Sequence, residues 1–221
     1  MLKVLFDLTG SHGQMLGFAL PTPNDAQALE ALVAALHEEE RKPLQRFAVR
    51  RKLTYAGGRY AMRELLRRLS LADGPILSDD RGAPVLPASV RGSISHKDEV
   101  ACALVTNDTS AYYGVDVEGL PGPSDDLASH ILTARELAQV SAMADAQRAL
   151  ELSLRFSAKE AIYKALDPYV RRYVAHEEVE VTPKPDGSAE VWSKVFPTGL
   201  RVEVTWRKYS DFVLTTCRIG T

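Results

Sequence analysis

Cysteine is almost missing from this chain: two in 221 residues, Cys102 and Cys217, far apart and without a partner motif. That excludes a disulfide framework and a cysteine-based zinc site. Cys102 stands in the apolar run 100–105 and reads as a buried core residue. No hydrophobic run is long enough to span a bilayer. The opening residues, Met1 to Asp7, lack the apolar stretch and cleavage signature of a signal peptide, so a reducing cytoplasm is the expected setting. Tandem repeats and low-complexity tracts are absent as well. Net charge is only -2, which by itself calls for no nucleic-acid partner. What is present is an ordinary globular composition. Hydrophobic residues at 45% suffice for a packed core, as one large domain or two small ones, and 25% charged residues rule out disorder.

Charge is unevenly spread. Between Arg41 and Arg68 stand ten basic residues (Arg41, Lys42, Arg46, Arg50, Arg51, Lys52, Arg59, Arg63, Arg67, Arg68) against one acid, Glu64. A basic segment in an acidic protein implies an anionic ligand or partner. Nucleic acid fits poorly, because aromatic interleaving is sparse (Phe47, Tyr55, Tyr60) and no known module is present.

The pattern predicts a strand at Leu2–Leu8, a helix over 26–39 capped by Asn24-Asp25, and one long or two consecutive helices over 43–69, interrupted at Gly57-Gly58. A loop follows from Ala72 to Pro87. Residues 91–96 and 100–105 read as a hairpin, and 111–118 as a strand. Gly119 to Ser129, including Ser124, reads as a flexible loop. Thr133 with Glu136 forms a capping box, and a helix runs from about Gln147 to Leu166, ending before Pro168. Strands at 179–181, 189–192, 200–206 and 211–217 close an antiparallel sheet. The class expected is α+β with two comparable lobes, divided at 110/111.

Two strings carry the chemistry. In Gly114-Val115-Asp116-Val117-Glu118 the two acids are spaced i, i+2 and share a face of a strand. Adjacent carboxylates repel, and a hard divalent cation such as magnesium relieves the conflict. In Phe156-Ser157-Ala158-Lys159-Glu160-Ala161-Ile162-Tyr163-Lys164 a helix offers a third carboxylate, Glu160, between two lysines. Carboxylates plus lysines suit a metal and a phosphate held together. Plainer readings stay open. The acid pair could face water on an edge strand, and Glu160 with Lys164 could be a surface i, i+4 pair worth ~0.3–0.5 kcal/mol. Ser93-Ile94-Ser95-His96 offers hydroxyl and backbone donors and a switchable cation to a phosphate, or else a packed strand-end histidine. Arg51 and Arg59 lie on one broad helical face, and the double glycine beside Arg59 signals close approach of a backbone or ligand.

In this order the elements resemble the surfactin/enterobactin type of 4′-phosphopantetheinyl transferase. That family carries Gly-[Val/Ile]-Asp-x-Glu followed by [Trp/Phe]-Ser-x-Lys-Glu-[Ala/Ser]-x-x-Lys, here Gly114 to Glu118 and Phe156 to Lys164. Its basic helix is matched by Arg51, Tyr55, Gly58 and Arg59, and its Gly-x-Pro…Gly-Ser-x-Ser-His segment by Gly82, Pro84, Pro87, Gly92, Ser93, Ser95 and His96. The likeness spans roughly residues 36 to 170. Leu86 replaces a frequent Trp, Thr54 a frequent Glu, and Phe156 a Trp; none of these is a metal or phosphate ligand.

The resemblance implies two similar lobes related by a pseudo-twofold, with coenzyme A in the cleft between them. It implies transfer of the 4′-phosphopantetheine arm to a serine of an apo acyl or peptidyl carrier protein, with release of adenosine 3′,5′-bisphosphate. By resemblance, Asp116, Glu118 and Glu160 hold Mg2+, for which Mn2+ substitutes, and Asp116 also borders the bound coenzyme A. Glu160 is the general base and Lys164 offsets leaving-group charge. Lys159 and Lys164 lie near the pyrophosphate, while Arg51, Arg59 and His96 grip the 3′-phosphate, with Arg81 and Ser95 as weaker contacts. The loop 119–129 and the next helix would meet the carrier's acidic helix through Leu127, Ile131 and Leu132. The chain is expected to act as a monomer, without membrane or nucleic acid. Its carrier could serve fatty acid, polyketide, nonribosomal peptide or siderophore assembly. A coenzyme A scaffold without turnover is the rival reading. The short trimeric holo-acyl-carrier synthases share the chemistry but have chains about half as long.

Overall fold

Residues 2–123 and 125–221 are described by a computed structural model, and the chain divides into two compact units, Met1–Thr109 and Ser110–Thr221. The α+β expectation holds: each unit sets helices against one antiparallel sheet. Ser124, part of the expected loop, lies outside the described residues.

In the first unit, β1 (Lys3–Gly10) pairs with β2 (Gly13–Ala19), and β3 (Arg91–Lys97) forms the expected hairpin with β4 (Val100–Thr106). The sheet order is β1-β2-β4-β3. The sequence pattern does not announce β2, because Gly13 and Gly17 dilute its strand propensity. Gly17 is nevertheless required, since the Phe6 ring fills the space its Cβ would take. The helix expected over 26–39 is two, α1 (Ala26–Ala34) and α2 (Glu38–Arg41). The Arg41 guanidinium accounts for the break: it donates to the carbonyls of Ala34 and Leu36 at the end of α1. After a 3-10 turn at Lys42–Arg46, α3 (Val49–Arg68) runs without interruption through Gly57 and Gly58. A Cβ there would overlap Leu20 and Ile94 respectively, so the close approach foreseen at this pair is that of the protein's own sheet side chains. Met62, Leu65 and Leu66 of α3 bury against Leu16, Phe18 and Ala103.

In the second unit the sheet order is β5-β9-β8-β7-β6, with β5 (Ala111–Gly119), β6 (Val179–Pro183), β7 (Ser188–Ser193), β8 (Arg201–Lys208) and β9 (Phe212–Gly220). The second half of the expected 119–129 loop is helical, as α4 (Asp125–Ile131), and α5 (Ala134–Ser141) starts at the capping box. Then α6 (Asp145–Val170) lies across the sheet and passes through Pro168 before ending at Arg171. Proline deprives only the Lys164 carbonyl of its helical donor, a loss tolerable in a last turn.

Both units share a device that sequence repeats do not reveal. Glu40, at the third position of α2, accepts the N–H groups of His37 (2.9 Å) and Ile76 (2.6 Å) and an ion pair from Arg63 on α3. Glu136, at the third position of α5, accepts those of Thr133 (2.8 Å) and Val181 (2.7 Å) and an ion pair from Lys159 on α6. In each case the cation lies 23 residues after the acid. Three donors, one of them a cation, offset the cost of burying each carboxylate.

Candidate active site

In the second unit, β5 must approach α6 closely. A Cβ on Gly114 would overlap the carbonyl of Ala161 on α6, so only glycine permits this contact. Side chains at i, i+2 and i+4 share a strand face, which places Asp116 and Glu118 on the same α6-facing side as Gly114. Both are buried, at 4% and 7% exposure. Lys164, one turn beyond Glu160 on α6, donates to Asp116 Oδ1 (2.8 Å) and to the Val115 carbonyl (2.9 Å). Lys164 thus ties the helix to the strand.

Glu160 keeps other company. Its Oε1 lies 3.1 Å from His176 Nε2, and both side chains remain partly exposed. His176 sits between the rings of Phe156 and Tyr163, with centroids at 5.6 and 5.2 Å. Burial first, and then the Glu160 carboxylate, push the Tyr163 phenol above its ordinary range. Sequence reasoning passed over His176, since no local motif marks it.

The expected pairing of Lys159 with a pyrophosphate needs correction. Its ammonium donates to Glu136 Oε2 (2.6 Å), the Ile131 carbonyl (2.8 Å) and the His176 carbonyl (2.9 Å), and no part of the side chain is exposed. Three N–H donors meet three acceptors. Adjacent helix residues point about 100° apart, so Lys159 turns inward where Glu160 turns outward. Burial lowers the Lys159 pKa, against the pull of Glu136 upward.

The three carboxylates do not form a ready-made cage. Among the described residues, no group of three or more His, Cys, Asp and Glu side chains is arranged to hold a metal ion. The physical reason is local pairing: Asp116 holds Lys164 and Glu160 holds His176. The donor chemistry nonetheless suits a hard divalent cation, because two buried carboxylates stand on one strand face. Two buried hydroxyls on the same interlayer, Ser157 on α6 and Thr215 opposite Asp116 on β9, have no hydrogen-bond partner among the described residues.

The first unit carries the basic cluster. Arg51 Nη1 lies 2.9 Å from His96 Nε2, and its guanidinium stands 5.6 Å from the Phe47 centroid. The structure thus brings Arg51 and His96 together. Arg59 is buried, stacks 3.7 Å over Tyr55 and donates to Ser78 Oγ (2.7 Å). Its Nε is buried and makes no hydrogen bond among the described residues. Burial pulls the Arg59 pKa down, and the positive charge of Arg51 adds to the effect. Ser95 is not grouped with His96: neighbours in a strand face opposite ways, and Ile94 and His96 share the side that meets Gly58 of α3. Arg81 stands exposed in the loop after β-bridge residue Ser78, its own N–H bound to Asp79. Of the expected carrier contacts, Leu127 is exposed, but Ile131 and Leu132 are buried with Val140 and Leu152 and cannot dock a partner.

The family described as 4′-phosphopantetheinyl transferase N-terminal domain matches residues 38–106, and the 4′-phosphopantetheinyl transferase superfamily matches residues 112–217. The chain is 30% identical over 171 residues to 4′-phosphopantetheinyl transferase PptT of Mycobacterium tuberculosis, covering 75% of this chain and 72% of that one. It is 31% identical to 4′-phosphopantetheinyl transferase Npt of Nocardia iowensis, covering 75% of each. A solved holo-(acyl-carrier-protein) synthase of Bacillus anthracis, in complex with CoA, covers 49% of this chain and 96% of its own at 20% identity and a TM-score of 0.41.

Proposed function

Because the chain belongs to the 4′-phosphopantetheinyl transferase superfamily, we propose that it moves the 4′-phosphopantetheine arm of coenzyme A onto a serine of an apo carrier protein. The serine oxygen attacks the phosphorus that bears the pantetheine. The phosphoanhydride bond to the adenosine half breaks, and adenosine 3′,5′-bisphosphate leaves. The observation that carries this reading is the Gly114-Asp116-Glu118 face pressed against the helix of Glu160 and Lys164.

Residue roles follow from charge and geometry. Arg51, His96 and Arg59 bind the 3′-phosphate. The planar fork of Arg59, already stacked on Tyr55 and with its Nε unspent, is preorganised for an anion. Arg81 reaches a phosphate from its exposed loop, and Ser95 assists only through its place in β3. Glu160 accepts the proton of the carrier serine. Lys164 neutralises charge on the departing nucleotide. Lys159 holds the frame. Asp116, Glu118 and Glu160 are the side chains that would hold Mg2+, or Mn2+ in its place. When bound, such an ion draws charge from a diphosphate. The working state in this reading is a monomer. The cytoplasm is the setting that its low cysteine count suits. Among the described residues no helix is long and apolar enough to cross a membrane.

The test is direct. Incubated with coenzyme A and magnesium, an apo carrier protein should gain the mass of one phosphopantetheine arm. A chelator should stop the gain, and so should Glu160→Gln. Carriers of several classes that all stay apo would end this reading.

A further inference from the structure

His176 belongs to no motif, yet it is held beside Glu160 by contacts to both its ring and its backbone. Its backbone is fastened from both sides. The His176 carbonyl accepts from the buried Lys159 (2.9 Å). The preceding carbonyl, of Ala175, accepts from the Tyr163 hydroxyl (3.3 Å), and the Ala175 N–H donates to Glu178 Oε2 (2.9 Å). Glu178 is itself gripped by two nitrogens of Arg172. The ring is confined by Phe156 and Tyr163, both from α6, one turn before and one turn after the position of Glu160. The ring held there presents Nε2 to Glu160 Oε1 at 3.1 Å.

An unassisted glutamate on a helix surface samples several rotamers, and only some aim its carboxylate usefully. We propose that His176 is a positioning residue for the transfer reaction: its Nε2–H donates to Glu160 and selects the rotamer in which that carboxylate works. The inference rests on the role given to Glu160 above. It differs from a packing role, because packing needs only the ring, whereas positioning needs the donor.

Two substitutions separate these. His176→Phe keeps an aromatic ring between Phe156 and Tyr163 and removes the donor. His176→Gln gives up the ring and keeps a donor. For His176→Phe we expect kcat to fall by about tenfold to a hundredfold, the worth of a hydrogen bond to a charged group, with KM for coenzyme A within about twofold and the melting temperature held. His176→Gln should recover most of that kcat. Independently of turnover, long-range proton–nitrogen spectra of the imidazole should show the Nε2-protonated form, with resonances that move in Glu160→Gln. Full kcat in His176→Phe, no recovery in His176→Gln relative to it, or imidazole resonances indifferent to Glu160→Gln would each overturn the proposal. Should the unsubstituted chain fail to modify any carrier, the functional reading falls by itself. The imidazole spectra would then still report whether the histidine and the glutamate are paired.

Discussion

Lys159 Nζ stands 2.6 Å from Glu136 Oε2, and neither side chain reaches solvent. Removing one member of such a pair strands the other charge in the interior. Lys159→Met should cost about 3–5 kcal/mol of stability, read as a drop in the denaturant midpoint. The double variant Lys159→Met with Glu136→Gln should recover part of that loss by removing the stranded charge, but not all of it, because the amide keeps one oxygen whereas Thr133 and Val181 donate to different ones.

Gly114 admits no side chain. Gly114→Ala forces β5 away from the Ala161 carbonyl, a clash with backbone that no rotamer relieves. A loss of roughly 1–3 kcal/mol or more is expected, together with a steep fall in transfer activity as Asp116 and Glu118 shift from α6. Gly119→Ala is the control: its Cβ would meet nothing within 4 Å, and its melting temperature and activity should match the parent.

Arg59 stacks on Tyr55 and donates to the hydroxyl of Ser78, an exposed residue. Arg59→Lys keeps the charge and loses the planar fork. Affinity for adenosine 3′,5′-bisphosphate, measured by calorimetry, should fall by about tenfold or more. The same substitution should leave the second unit's carboxylates and their response to magnesium unchanged.

Glu178 gives a pH signature. Hydrogen bonds from Arg172 and from the Ala175 N–H hold its carboxyl at about 2, below the ordinary glutamate value of 4.5. A depressed acid stabilises the fold above its unfolded pKa and loses that contribution as pH falls toward its folded pKa. Glu178→Gln should therefore be less stable than the parent at pH 6. The difference in urea midpoints should shrink below about pH 4.5 and vanish near pH 2. A gap that stays constant with pH would show that the carboxylate's charge does not hold this turn.

Much of the candidate site was legible in the residues themselves, and the reasons are specific. The i, i+2 acids of β5 and the capping box at Thr133 are local signals, and local signals survive folding. The hairpin β3–β4 followed from two apolar runs flanking a turn. Other features depended on what lay across the interior. Lys159 adjoins Glu160 in the chain, so the string alone suggests a shared task, and only the buried Glu136 shows otherwise. Gly57 and Gly58 read as a helix break until Leu20 and Ile94 occupy their open sides. Ile131 and Leu132 looked like docking surface because nothing nearby in sequence foretold Val140 and Leu152 covering them. His176 was invisible for the same reason: its partner is 16 residues back, on another element.

The strut between Glu136 and Lys159 also sets a direction. A helix free to turn about its axis could present any residue to the strand beside it. With Lys159 pinned on the inner side, rotation of α6 is arrested, and Glu160, about 100° further round, has its azimuth assigned by a neighbour that never meets solvent. Aim at the surface is thus dictated by an anchor in the dry interior.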